Sequence, residues 1–151
     1  MNDYVKTKIK EALAMFIKKD RTDLLKTDIY EPTISHRIAI YLERLFPNYN
    51  VDCEYNKHLL DKKKNIVGAK IRPDVIIHKR LSDDANRVIF EIKKSGAGSK
   101  LARADVQKLN GCLQNTLNYS LGVFVGVLKR RIDIVWIEKE NGNFKETREV
   151  L

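Results

Sequence analysis

The stretch IRPDVIIHKRLSDDANRVIFEIKK, residues 71–94, contains two short apolar runs that are typical of buried strands. Asp74 stands directly before the first run, and Glu91 and Lys93 stand at the end of the second run with one residue between them. Side chains two residues apart in a strand point to the same face, so Glu91 and Lys93 share a face. If the two runs pair as neighbouring strands, Asp74 joins them. The stretch therefore predicts two carboxylates and one ammonium group around a space for one or two divalent cations.

The rest of the chain alternates between helical and strand patterns around this hairpin. Upstream, we expect two amphipathic helices, a first strand and a loop or hairpin tip, over residues 4–18, 32–46, 49–56 and 57–70. Downstream, we expect a helix, a strand buried on both faces and an alternating last strand, over residues 101–117, 119–128 and 132–138. The residues after them are polar, and we expect a frayed tail there. The order α-α-β-β-β-α-β-β predicts an α/β domain with a central mixed β-sheet flanked by helices.

Length, charge and cysteine content narrow the class of protein. A chain of 151 residues with 43% hydrophobic residues is enough for one domain with its own core. The formal net charge of +9 favours a polyanionic partner, with nucleic acid first and an acidic membrane surface second, although the same charge also serves solubility. Cys53 and Cys112 match no zinc or disulfide pattern, and no secretory signal or membrane span is present. We therefore expect a cytoplasmic protein with reduced thiols and no membrane partner.

The P-D motif at residues 73–74 and the E-I-K motif at residues 91–93 resemble those of the PD-(D/E)XK nuclease superfamily, which has a restriction-endonuclease-like fold. The predicted order of elements matches the core of that fold over residues 31–138. Residues 1–30 then form an N-terminal helical extension and residues 139–151 a polar tail of the same single domain. The resemblance implies a metal-dependent nuclease that hydrolyses DNA phosphodiester bonds by attack of an activated water.

The resemblance also implies roles for individual residues. Mg²⁺, which Mn²⁺ is expected to replace, would be held by the carboxylates of Asp74 and Glu91 and by the backbone carbonyl of Ile92, since hard cations prefer oxygen ligands. Lys93 would orient the attacking water and support the developing hydroxide. The superfamily carries a further acid on an upstream helix, and Glu31 is the best candidate for that acid.

Three further residues are candidates for the same site. Glu54 lies on the first predicted strand and competes for the role of the accessory acid, and His36 lies one turn into the second helix. Several branches of the superfamily carry a polar residue, often glutamine, on the helix after the lysine strand. Gln107 fits that place, and it faces the site if Asp105 and Lys108 face solvent. Each of the three has a structural alternative: an exposed strand acid, a structural histidine or a solvated helix residue.

The basic residues that flank the predicted site are candidates for contacts with phosphates: Lys94, Lys100, Arg103 and Lys108. DNA as the partner rests on the superfamily, and RNA stays open. A homodimer that cuts both strands of a duplex rests on the same analogy. One alternative is a non-cleaving nucleic-acid-binding or interaction domain of the same fold within a defence or repair assembly. Another is a small effector whose basic surface binds an acidic protein. The acids and the lysine could also form an ordinary surface ion pair.

Overall fold

The structure of the protein is a computed structural model that describes residues 2–58, 61–62, 71–82, 84–114 and 117–151. A short π-helical stretch, Ile17–Arg21, joins the first two helices. The helices are α1 (Asn2–Phe16), α2 (Thr22–Lys26), α3 (Glu31–Leu45) and α4 (Lys100–Gln114). The strands are β1 (Asn50–Cys53), β2 (Lys57–His58), β3 (Asp61–Lys62), β4 (Val75–His78), β5 (Val88–Lys93), β6 (Leu121–Val127), β7 (Ile132–Glu140) and β8 (Asn143–Val150).

The main sheet is mixed and has the strand order β1-β4-β5-β6-β7-β8. β5 and β6 are parallel, as a crossover through α4 requires, and the other neighbours in this sheet are antiparallel. β2 and β3 form a separate antiparallel pair. The predicted α/β architecture, a central mixed sheet flanked by helices, is confirmed, and it is consistent with a restriction-endonuclease-like core. Of the loop predicted over residues 57–70, residues 59–60 and 63–70 lie outside the described residues.

Helices cover both faces of the main sheet. α1 and α3 pack on one face through apolar side chains at helical spacing, among them Ile9 and Leu13 of α1 and Ile34 and Ile38 of α3. α4 packs on the other face against a second apolar cluster. Because β5 and β6 are covered on both sides, their side chains are almost all buried. No helix in the described part of the chain is long and apolar enough to cross a membrane.

The C-terminal segment forms a regular strand, and the prediction of a frayed tail is wrong. β8 pairs with β7 along its whole length. The two strands are joined by Asn141 and Gly142, whose φ angles of 51° and 80° are both positive. A two-residue turn with this conformation favours Asn-Gly and matches the twist of a hairpin. The backbone hydrogen bonds of the hairpin therefore order a segment whose side chains are mostly exposed.

Candidate active site

Asp74 and Glu91 face one another across β4 and β5. Val75 and Phe90 form the end pair of the antiparallel ladder. Asp74 precedes Val75 and Glu91 follows Phe90, so the two acids lie opposite each other. Both side chains lie on the α4 face of the sheet, because Ile76 and Ile89, each two residues away, are buried in the cluster under α4. Lys93 follows on the same face of β5. The structure thus brings together the two carboxylates and the ammonium group that the sequence predicts.

The carboxylate of Asp74 is held by the backbone of the neighbouring strand. Its Oδ2 atom accepts a hydrogen bond from the N–H of Ile92 at 2.7 Å. The N–H and C=O groups of one residue in an extended strand point to the same side, so the carbonyl of Ile92 is directed toward the edge where Asp74 lies. This orientation suits the predicted role of the carbonyl as a ligand, and that role stays a prediction.

Glu91 is a carboxylate buried in the core of the domain, with only 2% of the residue exposed. Its Oε1 atom lies 2.5 Å from the Nζ atom of Lys108 on α4. Burial and the negative charge of Asp74 together raise the pKa of Glu91 to about 8, and Lys108 offsets only part of the effect. The metal-free site therefore holds an acid that is largely protonated at neutral pH.

The raised pKa of Glu91 predicts how the stability of the metal-free chain depends on pH. The side chain of Glu91 stays protonated in the folded state up to about pH 8, whereas in the unfolded state it loses its proton above the ordinary pKa of 4.5. The free energy of unfolding of the native chain is therefore highest below pH 4.5 and falls as the pH rises to about 8. A Glu91→Gln variant has no such titration. In EDTA, we expect its free energy of unfolding to gain about 2–4 kcal/mol relative to the native chain between those two pH values. Urea unfolding of both proteins across this range measures the gap, and a constant gap would contradict the pKa.

α4 contributes two charged residues to the site, Asp105 and Lys108, which would face solvent if Gln107 faced the site. The Oδ2 atom of Asp105 lies 3.8 Å from the Nζ atom of Lys93, and its side chain is 14% exposed. Burial raises the pKa of Asp105, while Lys93 and Lys108 act in the opposite direction. Gln107 is exposed, and it lines a groove toward β8. The prediction that Gln107 faces the site while its two neighbours face solvent is therefore wrong.

Glu31 reaches the site from the first turn of α3, on the opposite face of the sheet. Its Oε2 atom accepts a hydrogen bond from the backbone N–H of Lys94 at 2.8 Å. Its Oε1 atom lies 3.8 Å from the Nζ atom of Lys93. The structure thus places Glu31 at the end of β5, beside the predicted catalytic lysine, as the resemblance implies.

The other two accessory candidates lie outside this cluster. Glu54 is exposed, and its carboxylate lies 3.8 Å from the guanidinium of Arg72. Its backbone N–H donates a hydrogen bond to the carbonyl of Asp74 at 3.1 Å, which joins the backbone of Glu54 to the site. His36 is exposed on α3, away from the buried side of that helix. The contacts that the structure gives for Glu54 and His36 do not support the predicted accessory roles.

The predicted phosphate-binding residues divide into two groups. Lys100 and Arg103 are exposed on the outer side of α4 and are free to meet a polyanion in solvent. The ammonium group of Lys94 instead donates to Asp28 at 3.0 Å and to the carbonyl of Ile29 at 2.7 Å. Lys108 is paired with the buried Glu91. The structure therefore corrects the prediction for Lys94 and Lys108, whose charges are used within the protein.

The acids of the site are separated by lysines in this structure. Among the described residues, no three histidine, cysteine, aspartate or glutamate side chains lie close enough together to hold a metal ion. Lys108 occupies an oxygen of Glu91, and Lys93 lies between Glu31 and Asp105. The donor chemistry nevertheless fits a hard divalent cation, since every acidic side chain here offers carboxylate oxygens.

An open groove of about 430 Å³ lies beside the acids, and its walls include Tyr30, Glu31, Asp74 and Lys94. Tyr30 stands at the groove with 78% of its surface exposed. The site is therefore accessible to a ligand, with an aromatic ring at its mouth.

Comparison with known proteins gives one structural likeness. No model of a known protein family matches the chain, and no curated protein matches it. Among solved structures, the chain is similar to one described as a cryo-electron-microscopy structure of a DrdV–DNA complex, with 14% sequence identity and a TM-score of 0.47. The match covers 91% of this chain and 12% of that one.

Proposed function

We propose that the protein is a metal-dependent nuclease that hydrolyses DNA phosphodiester bonds by attack of an activated water. The observation that carries the proposal is the position of Asp74 opposite Glu91, on the same face as Lys93 and beside an open groove. A phosphodiester repels nucleophiles through its own negative charge. A site that hydrolyses it must therefore supply positive charge to the phosphate and a base or hydroxide to the water.

Asp74, Glu91 and the carbonyl of Ile92 are the groups that would hold Mg²⁺, and Mn²⁺ would substitute for it. The bound ion would neutralise the phosphate and lower the pKa of a water molecule. Lys108 would give up its contact with Glu91 on loading. A carboxyl group binds a cation in its deprotonated form, so Glu91 would release its proton to solvent on loading. A divalent cation compensates the buried carboxylate better than one ammonium group does.

Lys93 would stabilise the negative charge that develops during attack. Its ammonium group lies 3.8 Å from both Glu31 and Asp105, which approach it from opposite faces of the sheet. These two acids act as positioning residues, since they restrict the lysine to the end of β5. An ammonium group that is oriented before the reaction pays little reorganisation energy when charge develops.

Tyr30 and the exposed basic residues of α4 would contact the nucleic acid around the site. A tyrosine ring at the mouth of the groove offers a face on which a base can stack, which is a contact that does not depend on sequence. Lys100 and Arg103 would neutralise backbone phosphates, and they would make binding weaker as salt concentration rises.

A Tyr30→Ala variant tests this surface. We expect its dissociation constant for single-stranded DNA to rise about tenfold, because one stacked base contributes about 1–3 kcal/mol. Tyr30→Phe keeps the ring and serves as the matched control, with affinity close to that of the native chain. Fluorescence anisotropy in EDTA separates binding from cleavage, and equal affinities for all three proteins would remove Tyr30 from the interface.

Cleavage of supercoiled plasmid DNA tests the proposed activity. We expect nicking or linearisation by the native chain in Mg²⁺, none in EDTA, and none by a Lys93→Met variant in Mg²⁺. Lys18→Met, at an exposed position of the π-helical stretch, is the control for loss of one positive charge. An RNA of matched sequence in parallel distinguishes the two substrates. Equal cutting by the native chain and the Lys93→Met variant would contradict the proposal.

One observation favours a second candidate, a nucleic-acid-binding domain of this fold that does not cleave. The lysines of the cluster contact its acids directly: Lys108 contacts Glu91, and Lys93 lies near both Glu31 and Asp105. Such a domain would bind DNA in a salt-dependent way and would show no Mg²⁺-dependent change in stability. The nuclease instead predicts that Mg²⁺ raises the melting temperature of the native chain and leaves that of Glu91→Gln unchanged.

A further inference from the structure

β8 is the last strand of the main sheet, and no other strand in the described part of the chain pairs with its outer side. The N–H and C=O groups of Leu151 both pair with Ile132, at 2.9 and 2.8 Å. Because such groups alternate along a strand, the odd-numbered residues of β8 bond to β7 and the even-numbered residues turn their N–H and C=O groups outward. This edge is eight residues long, has no proline, and has mostly exposed side chains. Charged side chains usually keep such an edge from pairing, so a partner strand must present opposite charges to them.

We propose that two copies of this chain associate through β8, antiparallel and around a two-fold axis at Thr147. The partner is a second copy because the strand is complementary to itself. With Thr147 opposite Thr147 of the second copy, Glu146 lies opposite Arg148 and Lys145 lies opposite Glu149. Phe144 lies opposite Val150 in the same register. Every charged residue between Phe144 and Val150 thus meets an opposite charge.

The directions of the backbone groups support the same register. The outward-facing residues are the even-numbered ones, so hydrogen-bonded pairs across the axis must join even-numbered residues to each other. The register centred on Thr147 pairs Glu146 with Arg148 and satisfies this condition. A shift by a single residue position would set an outward-facing residue against an inward-facing one, and no antiparallel ladder would form.

The neighbouring symmetric registers place like charges on the two-fold axis. Axes at Lys145 and Glu146 would set each of those residues against its own copy. Axes at Arg148 and Glu149 would do the same. Like charges directly opposite each other in a sheet are destabilising. Among these registers, the one at Thr147 alone has an uncharged residue on the axis.

The two kinds of charged pair across the proposed axis differ in the contacts that their residues already make within one copy. Glu149 already accepts hydrogen bonds from the indole of Trp136 at 2.8 Å and from Lys10 at 3.2 Å. Glu146 has one long contact, from the side-chain amide of Asn110 at 3.2 Å, and Arg148 is exposed. The pair of Glu146 with Arg148 is therefore the one that substitutions should target.

The dimer would join the two main sheets into one. Residues opposite each other in an antiparallel pair share a face, so the α4 faces of both copies lie on the same side. The two β5 strands are then seven strand spacings apart, about 33 Å. Because neighbouring strands in a sheet are rotated by about 20–25° relative to each other, the sheet turns between the two β5 strands. If the proposed function also holds, the two sites would therefore open in different directions. This consequence rests on the proposed function, whereas the dimer does not.

Sedimentation analysis of the 151-residue chain tests the dimer. A pair of edge strands buries little surface, so we expect a dissociation constant on the order of micromolar and a mass that approaches twice 17.5 kDa with rising concentration. Glu146→Arg should raise the dissociation constant about tenfold or more, because each of two symmetric contacts becomes a pair of arginines. Glu43→Arg, which makes the same charge change at an exposed position of α3, should leave it unchanged.

The decisive variant exchanges the two charges. Glu146→Arg combined with Arg148→Glu restores opposite charges across the axis, so the double variant should dimerise like the native chain. A circular dichroism spectrum and a melting curve for each variant show that the fold is kept. A native chain that stays monomeric up to about 0.5 mM would overturn the proposal. So would a dimer that Glu146→Arg leaves intact, or a double variant that fails to recover.

Discussion

Glu91→Gln will reduce the rate of Mg²⁺-dependent DNA cleavage on the order of a thousandfold, because the amide cannot replace the charge of a carboxylate ligand. The substitution keeps the size and shape of a side chain that is almost fully buried. Since the pKa of Glu91 is about 8, the neutral amide resembles the protonated form that prevails in the metal-free chain at neutral pH. We therefore expect the variant to fold, and we expect unfolding not to be the cause of lost activity.

Two comparisons make this prediction specific. Asp105→Asn should lose about tenfold to a hundredfold in rate, because this acid acts by positioning Lys93. Glu43→Gln, at an exposed position of α3, should keep the native rate. Rates are measured from plasmid nicking at saturating Mg²⁺. Cleavage by Glu91→Gln within a few-fold of the native rate would show that the buried carboxylate takes no part in the chemistry.

Gly126→Ala will destabilise the protein by about 2 kcal/mol or more, because the added methyl group has no room. Gly126 pairs with Lys93 in the parallel ladder between β5 and β6. A Cβ atom at this position would collide with the backbone carbonyl of Ser95, which cannot turn away as a side chain can. The strand end that carries Lys93 would have to shift, so we expect the rate of cleavage to fall together with stability.

Gly111 provides the matched control for the same substitution. It lies inside α4, and a Cβ atom there would meet nothing within 4 Å. Gly111→Ala should therefore stabilise the protein by about 0.5–1 kcal/mol, since alanine is the better helix former. Urea unfolding of both variants measures the difference. Equal effects of the two substitutions would mean that the contact with Ser95 does not constrain the end of β5.

The central strands and the pair of Asp74 and Glu91 could be predicted because they depend on local pattern. Two apolar runs with a short polar connection form a hairpin, and the period of two then decides which side chains share a face. Which side chains α4 contributes to the site depends on the rotation of that helix about its axis, and the sequence pattern did not give that rotation. Leu101, the first residue of the predicted helix, is apolar and yet 62% exposed, so residue type alone does not give the rotation of α4. If the helix is rotated wrongly about its axis, Gln107 is predicted to face the site and Asp105 to face solvent, which is the reverse of what the structure shows.

A signal for the correct rotation was present in the sequence. Asp105 lies three residues after Ala102 and four before Leu109, and both of those residues are fully buried. An acid in the middle of an apolar stripe indicates a functional or paired carboxylate. The turn at residues 141–142 was a similar signal, because Asn-Gly between two alternating segments indicates a hairpin. The many charged residues after this turn favoured the prediction of a polar tail instead of a strand.

Contacts between elements that are distant in sequence could not be predicted. The binding of Glu31 to the backbone of Lys94 joins residues 63 positions apart. Likewise, Lys108 and Glu91 come from different elements, and both are ordinary charged residues on their own. The contact between Lys108 and Glu91 is therefore a property of the folded protein that neither residue predicts in the sequence.

The most direct test of the metal site is a crystal structure of the native chain grown with Mn²⁺, whose anomalous signal locates the ion. We predict a peak at about 2.0–2.3 Å from oxygens of Asp74 and Glu91 and from the carbonyl of Ile92, with Lys108 withdrawn from Glu91. A map without a peak at this position, in which Lys108 still contacts Glu91, would contradict the account.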